Sequence, residues 1–368
     1  MFINRKDEIQ ALQKEYDRQE ASFTVVYGRR RVGKTALITK FIEDKPHIYF
    51  YATQSTFDQQ IENFARQVIE LSGLSYANRL KLNSFEDALT FLCDLKPKKK
   101  LILVIDEFQN LIYLNKSFSS TLQMLWDTRL AHANIHLILC GSVISMMYSE
   151  VLDASAPLYG RRTANIHLKP IHFRYLNAFL PELSKLDLMR VYASFGAVPK
   201  YLQIYQKHLS FMENIKQNIL NKDAYLYSEG HFLLSLEIKD TGKYFSIIES
   251  IAKGKRKIGE IAASLSVHSS YLPKYMKKLI ELDILVKEVP VTEPDPRKSK
   301  LGQYRIKDKF LNFWFYYVYK NYNYLELGQI ESVVKDIEKN FNDYLVSFAF
   351  EDFLLEDILY EPLKYLDF

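Results

Sequence analysis

The stretch Gly28 to Thr35 reads GRRRVGKT, an uninterrupted G-x-x-x-x-G-K-[ST] pattern. Chemistry of this kind needs Gly28 and Gly33, because successive backbone N–H groups must turn inward around phosphate oxygens that side chains would obstruct. Lys34 would then reach the β- and γ-phosphates, and the Thr35 hydroxyl would ligate Mg2+. Arg29, Arg30, Arg31 and Val32 complete the loop, and Ala36 continues the helix it opens. The pattern follows an apolar run, FTVVY, and precedes a helical one, which is the setting a phosphate cradle requires.

A phosphate-bound cation also needs a carboxylate. The run LILVIDEF delivers two, Asp106 and Glu107, at the end of an apolar stretch. Asp106 is expected to complete the metal shell, and Glu107 to polarise an attacking water as general base. The same pair would also suit a helix N-terminus, where acids meet the positive end of the macrodipole. LILCGSVIS places Ser142 at the end of another such run. There it can orient water or bond the γ-phosphate, or it can simply cap a helix.

The tetrapeptide YGRR occurs twice, at Tyr27–Arg30 inside the loop and again at Tyr159–Arg162. No second Gly-Lys-Thr follows the later copy, so it is no second cradle. Arg161 and Arg162 are expected on the same nucleotide-facing edge, neutralising γ-phosphate charge in cis or from a neighbouring subunit, with ordinary surface ion pairing as the alternative.

These residues must be held by a scaffold, and the first 170 positions supply one. Apolar runs at 23–27, 47–52, 100–106, 135–140 and 165–168 alternate with helical periodicity. Runs apolar on both faces, joined by helices, predict an α/β fold with a doubly wound, mainly parallel sheet. The expected domains are a P-loop core over 1–170, a helical lid over 171–235, a winged helix-turn-helix over 236–325 and an acidic helical segment over 326–368. In the third, Gly254 separates two helices, SVHSS supplies the turn and cap before the next, and a proline-broken basic stretch forms the hairpin. FLNFWFYYVY reads as a buried aromatic helix.

Composition sets the outer limits. The chain has 368 residues, 48% of them apolar, with a formal charge of +5 and two widely spaced cysteines, Cys93 and Cys140. Neither a disulfide framework nor a zinc spacing is available, and a reducing cytoplasm is expected. The N-terminus carries no signal-type apolar core, and no run spans a bilayer.

The blocks FINRKDEIQAL, VVYGRRRVGKTALI, LILVIDEFQNL, LILCGSVISMM, PLYGRRT, FGAVPKYL and GQYRIKDKFLNFWFYYVY occur in the order seen in the prokaryotic archaeal-type ATPases. The chain resembles that family, which lies in the AAA+/STAND branch of P-loop NTPases. The resemblance implies ATP and Mg2+ as ligands, with Asn4 and Arg5 near the adenine and Gly196 and Pro199 in a lid motif that packs on the base. Asn4 stands where the family usually has glycine. No guanine-reading Asn-Lys-x-Asp is present.

The same resemblance makes FAFEDFLLEDIL similar to the first helix of a nuclease-like domain, with Glu351 in place. No Asp followed by Glu-x-Lys succeeds it, so nuclease activity is not expected. The expected function is an ATP hydrolase, slow without a partner, that repositions the winged helix. The alternative is a nucleotide-gated DNA-binding regulator that scarcely hydrolyses; the ATPase half of a toxin or defence module is a third reading. His268, Ser269, Lys274, Lys277, Lys278, Arg297, Lys298 and Lys300 are the expected surface toward duplex DNA. The absence of Arg, Asn and Gln from SSYLPKYMKKLIEL argues against base reading. A regulatory or partner-docking role for the winged helix, and a homo-oligomer, are the other partner expectations.

Overall fold

In the computed structural model, which describes residues 2–74, 80–290, 292–295, 299 and 301–360, the five apolar runs become five strands. Arg297, Lys298 and Lys300 of the expected hairpin tip lie outside the described residues. The chain divides into two compact units, Met1–Lys169 and Pro170–Phe368.

The first unit runs α1 (Lys6–Tyr16), β1 (Ser22–Tyr27), α2 (Lys34–Ile42), β2 (His47–Tyr51), α3 (Phe57–Ser72) and α4 (Phe85–Asp94). It continues through β3 (Leu101–Asp106), α5 (Gln109–Leu114), α6 (Phe118–Thr128), β4 (Ile135–Gly141), α7 (Ile144–Met147) and β5 (Ala164–His167). The strand order is β2-β3-β4-β1-β5, and all four pairings are parallel.

Strand alternation divides the apolar side chains between two layers. Phe23, Val25, Ile48, Phe50, Leu103, Ile105, Leu137 and Leu139 pack with α3, α4 and α6, while Val26, Ile102, Val104, Ile138 and Cys140 pack with α1 and α2. This is why β1, β3 and β4 read as unbroken apolar runs: each is covered on both faces. β1 lies between β4 and β5, so the direction of winding reverses there. That reversal opens a crevice at the carboxyl ends of the strands.

Among its described residues the second unit is helical except for one hairpin. It contains α8 (Leu176–Phe179), α9 (Lys185–Phe195), α10 (Pro199–Ile204), α11 (Phe211–Ile215) and α12 (Glu229–Glu237). Then follow α13 (Thr241–Ala252), α14 (Ile258–Ser264), α15 (Pro273–Glu281) and the antiparallel pair β6 (Leu285–Glu288) and β7 (Gln303–Ile306). It ends with α16 (Lys309–Phe313), α17 (Tyr322–Glu326), α18 (Ile330–Phe341) and α19 (Ser347–Tyr360).

SVHSS supplies the turn and cap, as expected: His268 accepts from the Ser270 amide ahead of a 3-10 turn over Ser269–Tyr271, and α15 proper follows from Pro273, a residue whose missing N–H costs nothing at a first helical position. The aromatic run is buried as expected: Phe310, Phe313, Trp314, Phe315 and Tyr317 are each at most 1% exposed. Its Phe310 ring packs 5.0 Å from that of Tyr201 in α10.

Candidate nucleotide site

The residues between β1 and α2 form a loop shaped by two glycines. Gly28 has φ +151°, and a Cβ there would overlap the carbonyl oxygen of Leu168. Gly33 caps α2 at φ +100° with open space where a Cβ would lie. Only glycine meets both demands without strain. The loop's backbone is therefore close to its neighbours on one side and unobstructed on the other.

Lys34 is the first residue of α2 and is 5% exposed. Its Nζ donates to the carbonyls of Gly28, at 2.8 Å, and Arg29, at 3.0 Å. Burial pulls this ammonium below its ordinary value, with Cys140, Glu107 and Asp106 acting in the opposite direction. No carboxylate pairs with it among the described residues. A buried cation balanced only by carbonyls suits an incoming phosphate. Among the other loop residues, Arg30 is exposed, Arg29 and Arg31 are half-buried, and Val32 is buried; Ala36 is exposed on the first turn of α2.

Asp106 ends β3 with no solvent exposure. Its Oδ2 accepts the Thr35 hydroxyl at 3.1 Å and also the Tyr49 hydroxyl. Its Oδ1 accepts the Glu107 amide at 2.8 Å. Thr35 and Asp106 are thus brought together. A hydroxyl and a carboxylate are hard oxygen donors, and so small a protein set fits Mg2+, which keeps waters and phosphate oxygens in its shell. No denser cluster of His, Cys, Asp and Glu exists among the described residues.

Glu107 occupies φ +54°, a left-handed conformation that costs a non-glycine residue roughly 1–3 kcal/mol. The turn is held by the Asn110 amide, which donates to the Glu107 carbonyl at 2.8 Å. Its carboxylate meets Ser142: the hydroxyl donates to Oε2 at 2.8 Å. Gln109 closes a triangle, its Nε2 donating to the same Oε2 and, at 3.1 Å, to Ser142 Oγ. The choice left open for Ser142 is thereby narrowed. Val143 stands at the N-cap of α7 without a side-chain bond, and the Ser142 hydroxyl serves Glu107 instead.

Arg5 is 6% exposed and clamps the loop from outside. It donates to the Val32 carbonyl at 3.0 Å and the Lys169 carbonyl at 2.8 Å, and pairs with Glu8 at 3.1 Å. Asn4 takes φ +55°, the backbone that glycine would supply, and asparagine is among the side chains that tolerate it best. In the second unit Pro199 opens α10 and Gly196, at φ +69°, closes α9.

Arg161 and Arg162 are not on this edge, contrary to expectation. β5 runs parallel to β1, and the Thr163 amide donates to the Phe23 carbonyl at the start of β1. The arginines therefore lie at the amino edge, the length of a six-residue strand from the loop, or about 20 Å. Arg161 forks onto Asp127, with Nη2 at 2.9 Å and Nε at 3.1 Å, and Arg162 donates to the Val151 carbonyl at 2.7 Å. A loop before a parallel strand always reaches the opposite edge from a loop after one.

Tyr49 and Gln109 were absent from the expected site. Gln109 had a signal, following the acid pair by two residues, whereas only the register of β2 on β3 puts Tyr49 on the strand face of Val104 and Asp106.

A parallel sheet of this order with such a loop defines a P-loop nucleotide-binding domain. A profile described as an ATPase domain predominantly from Archaea matches residues 2–204, and the chain belongs to that archaeal-type ATPase family. A second, described as archaeal and bacterial proteins of unknown function, matches residues 314–365. An uncharacterised protein of Methanocaldococcus jannaschii is 35% identical over 360 residues, covering 97% of this chain and 78% of that protein. An uncharacterised ATP-binding protein of the same organism is 51% identical over 45 residues, covering 12% of this chain and 76% of its own. The Walker-type ATPase of Pyrococcus abyssi shares the fold, with a TM-score of 0.64, 18% identity, 85% of this chain and 96% of that chain covered. No helix among the described residues is long and apolar enough to cross a membrane.

Proposed function

We propose that the chain binds ATP with Mg2+ at the carboxyl edge of the sheet and hydrolyses it slowly. The observation that carries this reading is the pairing of a two-glycine loop and its buried Lys34, held by carbonyls, with a second, separate carboxylate, Glu107, held by Ser142 and Gln109. Loop amides and Lys34 bind and orient the phosphates. Thr35 and Asp106 hold Mg2+, which supplies charge neutralisation on the β- and γ-phosphate oxygens. Glu107 takes the proton of the attacking water, and Ser142 fixes the carboxylate that accepts it. Arg5 and Asn4 stiffen the loop beside the base, and Pro199 belongs to a helical lid over 171–235. Steady-state phosphate release tests the scheme. Glu107→Gln is expected to keep ATP binding and lose roughly 10²- to 10⁴-fold in kcat. A variant as fast as wild type would remove Glu107 from the chemistry.

The second unit supports an output role. Three helices, α13 to α15, followed by the β6–β7 hairpin have the order of a winged helix. A second reading, nucleotide-gated DNA binding, is favoured by a basic aromatic cluster: Lys243 and Lys274 lie 6.0 and 5.2 Å from the ring of Tyr271, which is 38% exposed. Such a surface contacts phosphates rather than bases. Duplex affinity measured across salt, in wild type and in a Lys274→Ala, Lys277→Ala, Lys278→Ala variant, separates the readings. Equal affinity in both chains would exclude this face as a DNA contact.

A further inference from the structure

Asp106 leaves no lone pair unused on the oxygen that faces the loop. Its Oδ2 accepts from Thr35 Oγ1 at 3.1 Å and from the Tyr49 hydroxyl, and a carboxylate oxygen offers about two such places. The two donors differ in what they can do next. Thr35 can keep donating to Asp106 while its own lone pairs face a cation. Tyr49 contributes only its proton at that position, where its hydroxyl donates to Oδ2. Its ring packs against the apolar layer formed with α1 and α2, which fixes the hydroxyl where it stands.

We propose that the Tyr49 hydroxyl keeps the cation's place on Asp106 in the nucleotide-free chain and must give up Oδ2 when Mg2+ and its waters arrive. Tyr49 thereby raises the Mg2+ concentration that the site requires. The inference rests on the nucleotide reading above and deepens it by naming what regulates metal entry. The physical argument is one of linkage. An interaction made only in the unloaded state stabilises that state alone, so deleting it favours loading. A purely structural bond, kept in both states, would have no such effect.

The test is equilibrium binding of a fluorescent ATP analogue titrated with Mg2+, and again in EDTA, for wild type and Tyr49→Phe, which keeps the ring. The half-saturating Mg2+ concentration is expected to fall about 3- to 10-fold in the variant, the scale of one lost hydrogen bond to a charged group. Affinity in EDTA should stay within about twofold, because that state keeps the Asp106 cluster unloaded before and after binding. Thermal unfolding gives an independent reading: the variant should melt below wild type in EDTA and level with it in Mg2+ and analogue. A midpoint that is unmoved or raised overturns the inference while leaving nucleotide binding intact. Absence of analogue binding by the wild type, with or without Mg2+, would overturn the nucleotide reading and this inference with it.

Discussion

Tyr27–Arg30 and Tyr159–Arg162 are the same four residues at opposite ends of one sheet. At the carboxyl edge, the copy after β1 contributes its backbone: Gly28 turns against Leu168, and Lys34 folds back onto the carbonyls that follow. At the amino edge, the copy before β5 contributes its side chains, which tie down their own loop through Asp127 and the Val151 carbonyl. The difference lies in strand direction, not in composition. Parallel strands gather their carboxyl ends into a crevice, and a tetrapeptide gains or loses access to it according to which side of a strand it stands on.

The largest expected effect breaks the carboxyl edge. Lys34→Ala removes the sole ammonium of the loop, and turnover should fall by about 10³-fold or more, with ATP binding weakened in direct titration. Retention of both would mean that the loop does not cradle phosphate. Next, Gln109→Leu leaves Glu107 and Ser142 paired but unbraced, and kcat should drop about 10-fold while ATP affinity holds, the sign of a positioning role. An equal change in KM would instead place Gln109 in binding.

At the amino edge the effects should be smaller. Arg161→Ala breaks a partly exposed ion pair and should cost less than about 1 kcal/mol of stability, read by denaturant unfolding, with ATP affinity unchanged. A loss of turnover that grows with protein concentration would give Arg161 a role on a neighbouring copy's phosphate. The gentlest probe is acid. His136, buried in β4 and bonded to Thr24 at 2.8 Å, is held down to about 3 by burial, with the nearby Lys100 charge adding to it. A depressed histidine contributes stability that is complete above its unfolded value near 6.5 and is lost as pH falls toward the folded value. The limit is about 1.4 kcal/mol per pH unit. His136→Leu should flatten the stability curve between those two values, and an unchanged slope would show that His136 is already charged.

How much was readable beforehand follows from the kind of interaction involved. The five strands were visible within a residue or two: β1, β3 and β4 are covered on both faces and buried throughout, while β2 and β5, at the sheet edges, expose part of their length. Lys34, Thr35, Asp106, Glu107 and Ser142 were visible because loop and strand-end chemistry is written in adjacent residues. The turn and cap before α15 were visible in SVHSS, where His268 caps the 3-10 turn that leads into Pro273. Tyr49 and Gln109 escaped because their partners lie on other strands and loops: a tyrosine inside HIYFY carries no mark of a carboxylate on the next strand.

The sequence by itself determined the family, the two-faced sheet and the phosphate loop with its acid pair, because each rests on short-range patterning that repeats or abuts. Only the tertiary structure decided which residues meet. Strand order and direction carried Arg161 and Arg162 to the far edge, and the register of β2 on β3 brought the Tyr49 hydroxyl onto Asp106. Contacts across a sheet depend on register and polarity, which no single stretch of chain encodes.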